Sequence, residues 1–367
     1  MNDGDDSAVI AATDAPLDAL DGVAASFAAA ADASGAIHSK RYEMAAARVV
    51  LRFAGSELRD ALSPAFAHLA VPSTDESARA ALTVHLWDSA SAGTPPPPRP
   101  STPHAFATGA MFHFHEGPVR AVYEPGTEAL SVLDSSAGEA WYWVADVARI
   151  PFWDRASPMR QMLFWWLETR GYLQVHGSAV GTASGGVLLV GRRGSGKSVT
   201  SLASLGSTLL FAADDYVAVS MDGAPRLASI YSSGKLVPEQ GRKLLPHLMP
   251  LASNPDRLDT EKAVIFAHEH FSTQTTAGFP LRAILVPMVR PTQRESRIVD
   301  ISRAAAFAAL APSTIVQLRT AGQDELTVLT QLVAQVPSYG IELGTDTGAI
   351  AGTIGDLLAG LARSAES

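Results

Sequence analysis

Between residues 185 and 205 the chain runs from GGVLLVG through RRGSGKS into VTSLASL, and this stretch narrows the possible folds more than any other. An apolar, strand-like run is followed by the pattern G-x-x-x-x-G-K-[ST] at Gly191, Gly196, Lys197 and Ser198. A helical pattern, Val199, Leu202, Ala203 and Leu205, comes next. Glycines at these positions let the backbone curl so that successive N–H groups point at phosphate oxygens, and the following helix adds its positive end. Lys197 is then suited to bridging the β- and γ-phosphates of ATP, and the Ser198 hydroxyl to ligating Mg²⁺. The expected nucleotide-contacting set is Gly191, Arg193, Gly194, Ser195, Gly196, Lys197, Ser198 and Val199. Arg192 and Arg193 either add charge near phosphate or face solvent, and the sequence leaves both readings open. A Gly/Ser linker that matched by chance would lack the flanking strand and helix.

A phosphate loop alone names no reaction. The next apolar run, LLFAADD, ends in Asp214 and Asp215. A carboxylate at the carboxyl end of a buried strand beside such a loop suits a magnesium ligand. Its neighbour suits accepting a proton from an attacking hydroxyl. Without the loop, an Asp-Asp pair would read as a polar strand terminus and nothing more.

Composition limits the alternatives. The formal charge of −9, from 28 basic and 37 acidic residues, argues against binding nucleic acid by phosphate neutralisation. Cysteine is absent, which removes thiol catalysis and Cys-ligated zinc. No apolar run reaches the length of a membrane helix, and MNDGDDSAV carries acids where a secretion signal carries Lys or Arg. A cytoplasmic location is the expectation.

Residues 1–36, rich in Ala, Asp and Ser, read as a disordered or frayed tail, with a short Ala-rich helix as the alternative. Alternation at Val49, Leu51, Phe53 and at Leu82, Val84, Leu86 predicts strands, and residues 37–155 read as a β-rich N-terminal domain. Its SASAGTPPPPRPSTPH segment, 89–104, is expected to be an extended loop, because consecutive prolines offer no amide donors. Ser157 to Gly171 predicts a buried helix, with Ser157 as N-cap, Pro158 in the first turn and Gly171 closing it. Residues 156–367 form the second domain. Here YLQVHGSAVG and GVLLVG predict an antiparallel hairpin running into the phosphate loop. Strands are expected at 263–267, 281–289 and 338–343, and helices at 302–310, 324–333 and after Thr347.

The order HGSAVG, GVLLVGRRGSGKSVTSLASL, LLFAADD resembles the catalytic core of HPr kinase/phosphorylases, a family related to phosphoenolpyruvate carboxykinases. The resemblance is specific over residues 172–220 and loose up to Gly344. It implies an α/β fold with a mixed sheet around the P-loop, His176 near the phosphates, metal contact by Asp214 or Asp215, and Asp215 as the better base. Departures are visible. Val199 stands where that family usually has Glu, and RAILVPMVRPTQ lacks its phosphorylase signature. The stretches ADDYVAVS, IYSSGKL, LAPST and VPSYGIELG look closer to HPr-kinase-like proteins found with ribosomally made peptides, including lasso peptide kinases. That likeness implies phosphoryl transfer to a serine hydroxyl of a precursor peptide, with oligomerisation as a further family trait.

Lys235, after a Ser-Ser-Gly turn, is a candidate cation for charge on the transferring group, and Arg290 a weaker one. The bland reading of Lys235 is an exposed lysine, and that of His176 a strand histidine satisfied locally. His113 with His115, and His268 with His270, repeat a metal-ligand spacing but bring no third ligand. Alternatives to a peptide kinase are a kinase of a free hydroxyl metabolite such as serine, and a nucleotide-binding regulator without transfer chemistry.

Overall fold

The structure is a computed structural model that describes residues 6–72, 79–98, 104–105, 111–114, 117–318 and 322–366. Residues 1–5 of the expected tail, 99–103 of the proline-rich loop, and His115 lie outside the described residues. Two mixed sheets with helices packed on them give a mixed α/β fold.

The first sheet holds β1 (Ile37–Met44), β2 (Ala47–Ala54), β3 (Leu82–Asp88), β4 (His104–Ala105), β5 (Met111–Phe114), β6 (Val119–Glu124), β7 (Ala129–Asp134) and β8 (Glu139–Val144). Their order is β1-β2-β3-β8-β7-β6-β5-β4. The β2–β3 and β3–β8 pairs are parallel and the others antiparallel. Val49, Leu51 and Phe53 of β2 are buried in the main core, as period-2 alternation requires of a sheet face turned inward.

The other face of this sheet explains why residues 1–36 depart from the disordered expectation. Asp6–Ser34 is a helix. Leu20, Val23, Phe27 and Ala30, spaced by three and four, are buried against Trp87, Val119, Ala121, Leu130, Val132 and Trp143. An apolar sheet face left open would remain wet, so a helix with only a thin apolar stripe is recruited to cover it. A second correction concerns the 89–104 segment. It does not begin as loop, because Ser89–Ala92 is one helical turn, N-capped by Asp88, whose side chain accepts from the Ser91 amide.

The second sheet holds β9 (Tyr172–His176), β10 (Ser178–Thr182), β11 (Gly185–Leu189), β12 (Leu210–Ala213), β13 (Tyr216–Ser220) and β14 (Arg226–Ser229). A separate ribbon pairs β15 (Ser233–Leu236) with β16 (Ala263–Phe266). Then come β17 (Gly278–Val289), β18 (Arg297–Asp300) and β19 (Ser338–Leu343). The main path is β12-β10-β11-β17-β14-β13-β9, with β19 on β17 and β18 on β19. The 12-residue β17 joins two groups. Its first residues pair with β14, and Leu281 onward pairs with β11 and then β19.

The predicted hairpin is therefore only half right. β10 and β11 form it, whereas β9 pairs with β13 at the far end of the path. The chain switches groups at Gly177, whose added Cβ would stand 2.8 Å from the Leu189 carbonyl oxygen. Only glycine lets the crossing strand lie so close to the strand that feeds the loop.

The helix predicted from Ser157 begins later, at Arg160, and runs to Glu168. Met159 ahead of it takes a left-handed backbone, φ 56°, which ends any continuous turn from Ser157. Residues Gln161 to Leu167 are buried on all sides of this helix, which packs between β7 and β9. Helices Arg303–Gln317, capped by Ser302, and Gln323–Gln335 are longer than expected, and Ile350–Glu366 closes the chain. His268 and His270 sit on the helical turn Ala267–His270, where alternating spacing does not align them on one face. Among the described residues no helix is long and apolar enough to cross a membrane.

Candidate functional site

Two strand switches meet at one level of the molecule. At the first, β9 passes through Gly177 to β10; at the second, β12 passes through Asp214 and Asp215 to β13. The Gly177 amide donates to the Asp215 carbonyl at 3.0 Å and ties the switches together. The Cα register sets His176 opposite Tyr216 and Ala179 opposite Ala213. β11, hydrogen-bonded to β10, delivers the glycine loop beside them. This topology gathers His176, Asp214, Asp215 and the loop.

The loop has the backbone its glycines allow. Gly191, Gly194 and Gly196 have φ of 151°, 82° and 104°. A Cβ on Gly196 would meet Leu343 Cδ1 at 2.5 Å, so the loop rests directly on the end of β19. The helix Lys197–Leu202 follows immediately. Lys197 is buried, and its Nζ donates to the Gly191 carbonyl at 2.6 Å and the Arg192 carbonyl at 3.4 Å. Burial lowers its pKa, against the opposing pull of Asp214 and Asp215. Its partners are neutral carbonyls of the loop, weaker acceptors for an ammonium than a charged oxygen would be. Arg192, Arg193 and Gly194 are exposed, Ser195 and Val199 are half-buried, and Val199 packs on a second core that includes Leu202, Leu285 and Leu343.

The two aspartates differ sharply. Asp214 is 2% exposed. Its Oδ1 accepts from Ser178 at 3.0 Å and Ser201 at 3.1 Å, and its Oδ2 from the Lys235 amide at 2.9 Å. Burial and the adjacent Asp215 raise its pKa, while hydrogen bonds from the Lys235 amide, Ser198 and Ser178 oppose the rise. Asp215, with a side chain 19% exposed, pairs with Lys235 Nζ at 2.9 Å and lies 3.9 Å from His176 Nε2. Burial works against its charge, but Lys235, Lys262 and His176 outweigh it and hold the carboxyl at about 2.

Lys235 is 7% exposed and not the solvated lysine of its bland reading. Besides Asp215, its ammonium donates to Ser157 Oγ at 2.8 Å and the Trp153 carbonyl at 3.3 Å. Burial favours its neutral form, yet Asp215 and Tyr216 keep its pKa raised. Ser157, expected as a helix cap, is thus a ligand of this lysine. His176 donates its backbone amide to Thr314 Oγ1, and among the described residues its buried Nδ1 has no hydrogen-bond partner. Burial, with Lys197, Lys235 and Lys262, drives its pKa down to about 4 despite Asp215, so the ring is neutral at physiological pH.

Arg290, the weaker candidate cation, is engaged elsewhere. It pairs with Glu342 at 2.9 Å, which also takes Arg297 at 2.6 Å. Sequence reasoning passed over Ser178, Ser201 and Lys262. The two serines are small residues in ordinary strand and helix positions, and their partner is visible only once the strands are assembled. Among the described residues no group of three His, Cys, Asp or Glu side chains could hold a metal ion. A cavity of ≈ 470 Å³ lined by Lys40, Tyr42, Arg59, Asp60, His268 and Glu269 includes none of the site residues.

No protein-family model matches this chain, and no curated protein matches it. Among solved structures, an Hpr(Ser) kinase/phosphatase from Coxiella burnetii matches over 53% of this chain and 99% of its own, at 11% identity and a TM-score of 0.29. A superposition that loose carries no argument about this site.

Proposed function

We propose that the protein is an ATP-dependent kinase that transfers the γ-phosphoryl group to a serine-type hydroxyl. The observation that carries the reading is Asp215. It is an ionised, partly exposed carboxylate, fixed by Lys235, beside a neutral histidine and a loop whose lysine and amides suit a triphosphate.

In the reaction the acceptor oxygen forms a bond to the γ-phosphorus as the bond to the β–γ bridging oxygen breaks, and that electron pair leaves with ADP. The acceptor proton passes to Asp215. A carboxylate held near 2 is a weak base, but the loose transition state of phosphoryl transfer needs the proton only late, so positioning matters more than basicity. The loop amides and Lys197 hold the β- and γ-phosphates. His176, neutral and 3.9 Å from Asp215, keeps the acceptor side of the carboxylate free of a competing cation.

A magnesium ion fits the donor set. Mg²⁺ takes oxygen ligands, accepts few carboxylates and keeps phosphate or water for the rest. The Ser198 hydroxyl and the Asp214 carboxylate would hold it. Asp214, its pKa raised first by burial and then by Asp215, stands next to a second carboxylate, a pair whose repulsion a cation relieves. When bound, it neutralises charge on the β- and γ-phosphates.

The sequence resemblance supports a serine of a ribosomally made precursor peptide as acceptor, and a cytoplasmic, oligomeric enzyme. The test is labelled ATP·Mg incubated with the protein and serine-containing peptides, read by mass spectrometry. Phosphoserine is expected, and Asp215→Asn should lose at least about 100-fold in rate while ATP affinity holds within about threefold. Nucleotide binding with no phosphorylated peptide or small alcohol would instead favour a regulator. Transfer at the wild-type rate by Asp215→Asn would remove the base assignment.

A further inference from the structure

A kinase needs a cation able to follow charge onto the three equatorial oxygens of the moving phosphoryl group. Lys197 belongs to the loop and travels with the β–γ boundary. Lys235 has three N–H donors, and Asp215, Ser157 and the Trp153 carbonyl take them. Its charge is spent on holding Asp215. A further cation beside the site would supplement Lys197 in that task.

The β15–β16 ribbon supplies one. Lys235 pairs with Val264, so these two side chains share a face. Lys262 lies outside the paired register, immediately before β16, and the two Asn254 hydrogen bonds to its carbonyl and to the Val264 amide hold the chain extended there, which turns its side chain to the Val264 side of the ribbon. Its backbone is clamped. Asn254 Nδ2 donates to the Lys262 carbonyl at 2.9 Å, and Asn254 Oδ1 accepts from the Val264 amide at 2.9 Å. Glu261, just ahead, accepts from the Phe152 amide at 3.0 Å and pairs with Arg257. A half-buried lysine on so fixed a backbone ordinarily finds an anion or a carbonyl. Among the described residues the Lys262 ammonium donates to none, while its charge is felt at Asp215, His176 and Lys197.

We infer that Lys262 is a further catalytic residue, whose ammonium contacts the equatorial oxygens of the phosphoryl group as it passes from ADP to the acceptor hydroxyl. This rests on the kinase reading and deepens it. The bonds made and broken are those of the transfer described above; Lys262 exchanges no proton and supplies only charge. Its contribution is confined to the transition state, so it should leave ground-state nucleotide affinity nearly untouched.

The experiment is calorimetric binding of Mg·ADP with and without tetrafluoroaluminate, a planar anionic mimic of the transferring group. It uses the full chain and the variants Lys262→Met and Lys262→Arg. In the wild type the fluoride complex should bind at least about tenfold more tightly than Mg·ADP alone, the ordinary behaviour of transition-state mimics. Lys262→Met should lose that tightening while Mg·ADP alone binds within about threefold of wild type, and Lys262→Arg should restore part of it. Tightening kept in full by Lys262→Met overturns the inference, as does a wild type that binds Mg·ADP but shows no tightening. A wild type that binds no nucleotide would bring down the kinase reading itself, which is a distinguishable failure.

Discussion

Replacing Lys235 by methionine tests whether the buried ion pair holds the site together. The substitution keeps the length of the aliphatic stem but removes an ammonium that serves Asp215, Ser157 and the Trp153 carbonyl. The magnitude follows from Asp215. Its carboxyl falls from 3.8 to about 2 although burial pushes the other way. At about 1.4 kcal/mol per pH unit that net shift is worth roughly 2 kcal/mol, and the lysine's own share is larger because it also overcomes burial. Breaking a buried pair on one side typically costs about 3–5 kcal/mol, so a loss of about 3 kcal/mol is expected at pH 7. A depressed carboxyl stabilises the fold above its unfolded value of 3.8 and loses that contribution as the pH falls through about 2. Without Lys235 burial is no longer outweighed to the same degree, the carboxyl rises, and protonation relieves it, so the deficit should narrow in mild acid. Urea unfolding at pH 7 and pH 5 reads both effects. Adding Asp215→Asn to Lys235→Met should recover much of the loss, since no unpaired charge then remains buried. A single variant as stable as wild type, or a deficit that Asp215→Asn leaves untouched, refutes the reasoning.

Other outcomes are as definite. Lys197→Ala should weaken Mg·ATP binding by at least about tenfold in calorimetry while leaving the unfolding midpoint nearly unchanged, because its present partners are two loop carbonyls. Gly196→Ala should impair nucleotide binding and stability together by about 1–3 kcal/mol, since φ 104° and Leu343 both oppose a side chain there. Phe27→Ala should destabilise by about 3–5 kcal/mol in urea unfolding, which tests whether the N-terminal helix belongs to the core. His68, buried and neutral with its pKa pressed to about 3 by burial and His268, is protonated in the unfolded chain first, so stability falls as the pH drops below 6.5. His68→Gln should flatten that fall by about 2 kcal/mol between pH 7 and pH 5.

What the sequence disclosed follows the range of the interactions involved. The loop, its strand and its helix are contiguous, so their chemistry is readable from residue order. The alternation in β2 and β3 is likewise local. β9 escaped because YLQVH reads equally well as one arm of a hairpin with SAVG; that it pairs with β13 depends on the switch at Gly177. The N-terminal helix is only the second reading of its segment, and its length is not legible there, because Leu20, Val23, Phe27 and Ala30 form too thin a stripe to announce a long helix unless the sheet face it covers is known. Ser157 carried a correct local signal, a hydroxyl before proline, that was captured instead by Lys235 from 78 residues away. Long-range polar partners leave no periodicity in a sequence.

The contrast between Asp214 and Asp215 has a simple origin. Asp214 and Asp215 form the bend between β12 and β13, and the bend turns the two side chains to different surroundings. Where β12 hands over to β13 between two groups of strands, one side faces the packed junction with Ser178, Ser201 and the Lys235 amide, and the other faces the space near His176. Adjacent carboxylates thereby acquire opposite shifts, the first raised by burial and its neighbour, the second lowered because Lys235 and Lys262 outweigh its burial. Two carboxylates at one site can divide labour only if their environments separate their proton affinities. A crossing strand does so at the smallest possible sequence separation, without needing a second loop to bring in the other acid. An Asp214→Asn variant should therefore lose the buried hydrogen-bond hub, whereas Asp215→Asn should lose the ion pair with Lys235 and keep the hub intact.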